Sequence, residues 1–240
     1  MNLAPDLLDW ARGLLSVAFV VLLPMLIIGT SVRGVFTDRE LILNGFRDNQ
    51  VGVTTGLDDA QLQRVADAFV SYFQAPRGQM QMQIVAFGQP RLLFNDRETA
   101  HMEDVQALVQ FFLRMQLVAA AVVAVRLVVG LAFERAVAPI GREMLWSMGL
   151  MIAAVVVVGS YALIDFDAFW TRFHQVAFRN DLWLLDPRRD YLIMLFPEPF
   201  WFTATIRFVT VVCLQTGLVI ALGLGLVLSP RLLGGTRVDG

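Results

Sequence analysis

The chain has 240 residues, of which 57% are hydrophobic and 17% charged, and its mean hydropathy is +0.62. This composition is too apolar for an ordinary soluble domain. The formal net charge of −2, with no basic stripe, predicts no nucleic-acid partner, and the single cysteine excludes an intrachain disulfide.

Four apolar stretches reach the length of about 20 residues that a helix needs to cross the hydrocarbon core of a bilayer. They lie at about residues 11–32, 112–133, 145–164 and 204–228. We therefore predict an all-α membrane fold with four transmembrane helices. We expect residues 1–240 to form a single integral membrane domain whose surroundings are the membrane lipid bilayer.

Four crossings put both chain ends and one short loop on one side of the membrane. Two longer segments, at about residues 33–111 and 165–203, then lie on the other side. The short side carries a concentration of arginines, namely Arg12, Arg135, Arg142, Arg231 and Arg237. By the positive-inside rule this side is cytoplasmic, so the two longer segments are predicted to be extracytoplasmic.

The first long segment predicts a small mixed α/β cap. Asp58 and Asp59 are N-cap candidates for an amphipathic helix, and Pro76 and Gly78 end its apolar stripe. Residues 79–84 alternate between polar and apolar side chains, which indicates a half-buried strand. We expect a turn at Gly88 and Pro90, and a partner strand at residues 92–94.

One of the two histidines, His101, follows a predicted helix start at Asn95 and Glu98. No helix breaker separates this start from the second span, so His101 is predicted to lie on an extension of a transmembrane helix. Glu98 and Asp104 neighbour it at helical spacing, and such carboxylates can orient an imidazole and raise its basicity. A charged, solvated helix start is the structural alternative.

The other histidine, His174, lies in the second long segment. Asp165 is predicted to cap a short helix that carries Phe166, Phe169, Trp170 and Phe173 before it. Aromatic side chains continue to residue 202, which favours a segment lying along the membrane surface. An interfacial histidine among aromatic residues is the structural alternative.

Two predicted spans separate His101 from His174, so both histidines lie on the same side of the membrane. We therefore place the functional site at this shared face. Within the second span Arg126 is predicted to snorkel towards the inner surface, and a functional charge inside the membrane is the alternative. Arg207 is expected either to meet a lipid headgroup or the Asp190 region, or to have a structural role. No zinc, phosphate-loop or nucleophile-elbow motif is present, and lysine is absent.

Two long strings, LLFNDRETAHMEDV and FHQVAFRNDLWLLDPRRDYLIMLFPEPFW, resemble the family of bacterial integral membrane proteins that includes the lipoprotein intramolecular transacylase. The resemblance covers essentially the whole chain, because the four-span layout also matches. It implies an acyltransferase of the bacterial cell membrane with its active site on the extracytoplasmic face. The implied reaction moves an acyl chain from the sn-2 ester of a diacylglyceryl-modified cysteine to that cysteine's α-amino group, giving a lyso-form lipoprotein.

The same resemblance implies that His101 and His174 are the catalytic residues, with diacylglyceryl-modified lipoproteins as substrates. We expect no cofactor, and no metal because the two histidines lack ligand spacing. Our hypothesis makes His101 the general base and gives His174 an electrostatic role, although the two roles can be reversed. The residues predicted to support them are Glu98, Asp104, Arg97, Asn180 and Asp181.

Three other functions remain open at this stage. A non-catalytic membrane scaffold or sensor would bind a partner through its extracytoplasmic segments and would not need the histidines to converge. A metal-dependent hydrolase of lipid or peptide would use the histidines as metal ligands. A transporter is disfavoured because four spans with one internal charge offer little to line a pathway.

Overall fold

The computed structural model describes residues 3–75, 78–134 and 137–233, with side chains between residues 7 and 229. Pro76, Arg135 and Arg237, which entered the sequence predictions, lie outside the described residues, as does the side chain of Arg231. The α-helices formed by the described residues are α1 (Leu3–Thr37), α2 (Arg39–Asp48), α3 (Val51–Thr55), α4 (Asp59–Gln74), α5 (Asp96–Val128), α6 (Ala138–Ile164), α7 (Phe166–Ala177), α8 (Tyr191–Leu195) and α9 (Glu198–Leu233). Strands β1 (Gln83–Ala86) and β2 (Gln89–Leu92) form an antiparallel hairpin, and Val129–Glu134 continues α5 as a π-helical segment.

Among the described residues, four helices are long and apolar enough to cross a membrane, which confirms the predicted fold class. They are Leu7–Thr37, Asp96–Glu134, Ala138–Ile164 and Glu198–Ser229. Each contains one predicted apolar stretch and extends beyond it at one or both ends. The extension of the second helix confirms that His101 lies on the same helix as the span that follows it.

The chain divides into two compact units. One unit comprises the described residues up to Thr30, Leu113–Gly159 and the described residues from Thr210 onward. The other comprises Ser31–Phe112 and Ser160–Val209. We call them the span unit and the cap unit. The bounds of the cap unit are close to those of the two predicted extracytoplasmic segments, whereas the single integral domain stays a prediction.

In the span unit, Arg126 is buried and ion-paired, so the expectation that it snorkels is wrong. Its guanidinium donates two hydrogen bonds of 2.8 Å to the carboxylate of Glu143 and one of 3.1 Å to Glu134. Only 2% of Arg126 is exposed. A buried guanidinium needs such partners because an unpaired charge in an apolar interior is strongly unfavourable.

Two glycines bring α6 and α9 into close contact within the span unit. A Cβ built on Gly141 would lie 2.6 Å from the carbonyl oxygen of Gly223. Small residues allow this approach between membrane helices, where packing provides much of the attraction.

The core of the cap unit forms around the apolar stripe of α4. The side chain of Asp58 accepts a hydrogen bond from the N–H of Gln61, which confirms the predicted cap. Side chains from neighbouring helices, strands and loops join this core. Its most deeply buried members include Ile42, Phe46, Val51, Val65, Phe73, Leu93, Phe94, Leu195 and Phe196.

The hairpin differs from the predicted strands by several residues. The first strand was predicted at residues 79–84 but is formed by Gln83–Ala86. Pro90, predicted in the turn, lies within β2. Pro90 pairs with Val85, whose N–H and C=O are bonded to the side chain of Gln61 at 2.7 and 2.9 Å. Since Val85 directs its backbone groups away from β2, the N–H that proline lacks is not needed there.

Several rings of the aromatic segment are buried inside the cap unit and do not project to its surface. Tyr191, Phe196 and Phe200 are all buried, and Phe196 packs against Phe69 with ring centroids 4.6 Å apart. The expectation that the segment lies along the membrane surface is therefore wrong for these rings. Arg207 has a structural contact, as one of the interpretations of the sequence allowed, because it forms an ion pair with Asp38 at the start of α2.

Candidate functional site

The first turn of α5 positions His101. The side chain of Asn95 accepts a hydrogen bond of 3.0 Å from the N–H of Glu98, and the carboxylate of Glu98 accepts one of 2.8 Å from the N–H of Asn95. This reciprocal pair is a capping box, as the sequence predicted, and it fixes where the helix begins. His101 follows one turn later, and only 6% of it is exposed.

Helix α7 positions His174. The side chain of Asp165 accepts a hydrogen bond of 3.0 Å from the N–H of Ala168, which confirms the predicted cap. His174 lies in the last turn of α7 and is 8% exposed. Its Nδ1 is 2.8 Å from the carbonyl oxygen of Trp170, one turn earlier. Because a carbonyl oxygen can only accept, Nδ1 carries the proton and Nε2 keeps the lone pair of the neutral ring.

The two histidines converge in the cap unit. Their ring centroids are 5.9 Å apart and their planes are inclined by 35°. Phe178 lies beside both, at 5.1 Å from the ring of His101 and 5.6 Å from that of His174. Two imidazoles this close can act on the same small group of atoms.

Aromatic rings surround His174 and remove it from water. The ring centroid of Trp170 lies 4.8 Å from that of His174 with the planes at 76°, and that of Trp183 lies 5.0 Å away with the planes at 32°. This burial lowers the pKa of His174 below 6.5, and the hydrogen bond to Trp170 opposes the shift only in part. His174 is therefore neutral over most of the physiological pH range.

Within the described residues, Nδ1 of His101 is buried and has no hydrogen-bond partner. A buried polar atom without a partner is uncommon and calls for an explanation. The hydrogen-bonding capacity of this nitrogen remains for a bound molecule.

Glu98, predicted to orient His101, bonds to backbone groups. One carboxylate oxygen accepts from Asn95, and the other accepts a hydrogen bond of 2.6 Å from the N–H of Leu192. The amide of Asn95 also donates to the buried carboxylate of Asp190 at 2.9 Å. These bonds tie the start of α5 to the start of α8, so Glu98 supports the site through the backbone.

Three of the other predicted supporting residues, together with the backbone of the fourth, link α5 to the loop that follows α7. The amide of Asn180 donates a hydrogen bond of 2.8 Å to the carboxylate of Asp104. The guanidinium of Arg97 donates to the backbone carbonyl of Asp181. Asp104 follows His101 by three residues and lies on the same side of α5.

Sequence reasoning missed Phe178, Trp170 and Trp183 as parts of the site. The density of aromatic residues around His174 was the available signal, but it suggested contact with the membrane surface. The described residues contain no group of three or more histidine, cysteine or acidic side chains placed to hold a metal ion. Arg126 belongs to the span unit and is not among the residues around the histidine pair.

The fold and the converging histidines define a multi-pass membrane protein with a buried polar site in its cap unit. A family model described as "Lipoprotein intramolecular transacylase Lit" matches residues 17–201. The chain belongs to this family and is therefore an acyltransferase.

Individual relatives resemble the chain over nearly its whole length. An uncharacterized protein of Aquifex aeolicus (strain VF5) is 22% identical over 209 residues, which cover 87% of this chain and 92% of that protein. The in meso structure of the membrane integral lipoprotein intramolecular transacylase Lit from Bacillus cereus matches this chain with a TM-score of 0.79 and a sequence identity of 17%. The match covers 93% of this chain and 99% of the Bacillus cereus chain. A variant of that protein with one histidine replaced by alanine matches with a TM-score of 0.75, 17% identity and coverage of 97% and 100%. These structures share the fold of this chain.

Proposed function

We propose that the protein moves an acyl chain within one lipoprotein molecule, from the sn-2 ester of a diacylglyceryl-modified cysteine to the α-amino group of the same cysteine. The product is a lyso-form lipoprotein. The observation that carries this proposal is the pair of buried imidazoles, His101 and His174, with ring centroids 5.9 Å apart. Family membership supports the transacylase class.

The reaction requires no water and no cofactor. The amine nitrogen attacks the ester carbonyl, a C–N bond forms, and the C–O bond to the glyceryl oxygen breaks. One proton leaves the nitrogen and one proton reaches the glyceryl oxygen. An α-amino group has a reference pKa of about 8 and an imidazole about 6.5, so a histidine can exchange this proton near neutral pH.

The geometry favours His174 as the general base, which reverses the assignment that we first preferred from the sequence. Its Nδ1 is committed to the carbonyl of Trp170, so Nε2 of the neutral ring is free to accept the amine proton. The resulting imidazolium then delivers that proton to the departing glyceryl oxygen. The proton that leaves the amine is thus the proton that the glyceryl hydroxyl of the product carries.

His101 is suited to stabilise the tetrahedral oxyanion. Its neutral ring carries one N–H, and burial strengthens a hydrogen bond from this N–H to a developing negative charge. The surrounding phenyl and indole rings exclude water, which would otherwise hydrolyse the ester. We propose that the site opens to the extracytoplasmic leaflet, as the distribution of arginines favours.

Expression in a bacterium whose lipoproteins carry a free amino terminus tests the proposal. The N-terminal lipopeptide is read by mass spectrometry. We expect one acyl chain to move to nitrogen with the wild-type protein. General acid–base groups contribute about 10²- to 10⁴-fold, so His101→Ala and His174→Ala should abolish detectable transfer.

Two exposed neighbours provide matched controls. Glu103→Ala on α5 and Gln175→Ala on α7 should retain transfer, because both side chains are exposed whereas the two histidines are buried. Folded, membrane-inserted wild-type protein that leaves the diacylglyceryl terminus unchanged would remove the proposal and favour a scaffold or sensor.

A further inference from the structure

The loop after α7 is fastened to the same side of α5 that carries His101. Positions 97, 101 and 104 follow the spacing i, i+4 and i+7, so their side chains share one face of the helix. Arg97 holds the carbonyl of Asp181, and Asp104 accepts the amide of Asn180 at 2.8 Å. The loop therefore has one attachment on each side of His101 along the helix.

Asn180 uses both ends of its amide to set the shape of this loop. Its nitrogen donates to Asp104, and its oxygen accepts a hydrogen bond of 3.1 Å from the N–H of Leu182. The carbonyl of Asp181 also accepts a hydrogen bond of 3.2 Å from the N–H of Leu184. These bonds leave little freedom to the residue between them, Trp183.

Trp183 lies close enough to His174 for its indole to attract a cation on the imidazole. The two rings are 5.0 Å apart and inclined by 32°, whereas the rings of Trp170 and Phe173 meet His174 at 76° and 81°. A cation within about 6 Å of an indole centroid is attracted by the ring, most strongly when both are shielded from water. A neutral imidazole gains much less from this contact than an imidazolium.

We propose that Trp183 is a positioning residue for His174: its indole holds the imidazole and stabilises the imidazolium formed during proton transfer, and the Asp104–Asn180 hydrogen bond keeps it in place. This inference rests on the proposed role of His174 as the base. The other groups that bear on the charge of His174 are His101 and, beyond it, Asp104 on α5, and the Trp170 carbonyl on α7.

A fluorescence titration tests the contact without any substrate. An imidazolium quenches a neighbouring indole, and Trp170 contacts His174 independently of Trp183. Trp170 therefore reports the protonation of His174 even when Trp183 is replaced. His174→Gln identifies the component of the signal that belongs to this histidine.

The two possible roles of Trp183 shift this titration in opposite directions. If the indole stabilises the imidazolium, Trp183→Leu moves the midpoint to more acidic pH, and Asn180→Ala moves it the same way. If the indole only excludes water, its removal hydrates His174 and moves the midpoint to more alkaline pH. The matched control is Leu184→Ala in the same loop, whose side chain is 55% exposed and which should leave the midpoint unchanged.

Activity provides the second measurement. We expect Trp183→Leu to lower kcat about tenfold with little change in KM, and Trp183→Phe to recover part of the loss. An unchanged or more alkaline midpoint in Trp183→Leu would overturn the inference even if the wild type is active. A wild type without acyl transfer would overturn the proposed function, while the titration would still test the contact.

Discussion

The Nδ1 of His174 donates to the carbonyl oxygen of Trp170 at 2.8 Å, a bond within α7 that fixes the tautomer of this histidine. Its ring neighbours outside α7 come from α5 and from the loop that follows α7. In the proposed reaction, this local backbone contact leaves Nε2 as the nitrogen of His174 that acts on the substrate. The free Nε2 belongs to a ring that lies 5.9 Å from His101. The chemistry of the pair therefore depends on both α7 and α5.

The pH dependence of the reaction should show two breaks. The neutral fraction of the substrate amine falls about tenfold for each pH unit below about 8. His174 adds a second tenfold loss per unit once it becomes protonated. Because burial lowers the pKa of His174 below 6.5, the slope of log kcat/KM should double only below that pH. A break at or above 6.5 would contradict the neutral, buried base.

Replacing Glu98 by glutamine should destabilise the protein. Both oxygens of Glu98 accept backbone N–H groups, from Asn95 and Leu192, and only 1% of Glu98 is exposed. An amide has one acceptor oxygen, so one buried N–H loses its partner at a cost of about 1–3 kcal/mol. Thermal unfolding in detergent measures the loss against Glu103→Gln, an exposed change on the same helix. Equal unfolding midpoints for the two variants would refute this role.

Removing the carboxylate of Glu143 should leave the buried guanidinium of Arg126 without its main partner in the span unit. Arg126 is 2% exposed and receives two of its three carboxylate contacts from Glu143. Breaking a buried pair from one side costs about 3–5 kcal/mol, whereas replacing both partners by apolar residues is much less costly. We expect Glu143→Met to lower the unfolding midpoint strongly and Arg126→Met with Glu143→Met to recover much of it. A double variant as unstable as the single one would contradict this prediction, and exposed Arg142→Ala is the control.

A side chain at Gly141 should push α6 away from α9. A Cβ there would lie 2.6 Å from the carbonyl oxygen of Gly223, whereas one at Gly149 on the same helix would meet nothing within 4 Å. We expect Gly141→Val to cost about 1–3 kcal/mol. Gly149→Val also replaces a glycine of α6 by valine but creates no clash, so it should change the stability of the protein very little. The thermal unfolding midpoints of the two variants test this prediction. Equal midpoints would contradict it.

Local chemistry made much of the framework predictable from the sequence. The N-cap residues Asp58, Asn95 and Asp165 predict the helices that follow them. Each has a side-chain oxygen that can accept a hydrogen bond from an otherwise unpaired N–H in the first turn. The apolar lengths predicted the four membrane helices. Counting two spans between His101 and His174 placed both histidines on one side, although a count of spans gives no distance between rings.

Long-range pairing explains what the sequence did not reveal. Gln61 covers the backbone of Val85 from a different element, so the register of the hairpin depends on α4 as well as on its own alternation. Arg126 finds Glu143 across the turn between two helices, which no helical spacing indicates. Trp183 reaches His174 because Asn180 and Arg97 fasten its loop to α5, and neither bond follows from a pattern in the chain.

Crossover analysis with the purified protein in lipid nanodiscs tests the central claim most directly. Two synthetic lipopeptides are mixed, one with an isotope-labelled sn-2 acyl chain and the other with an isotope-labelled peptide. We predict that every N-acylated product keeps the acyl label and peptide label of a single starting molecule, and that His101→Ala and His174→Ala form no product. Products that combine labels from different molecules, or N-acylation that persists in both histidine variants, would contradict a transfer carried out within one lipoprotein by this histidine pair.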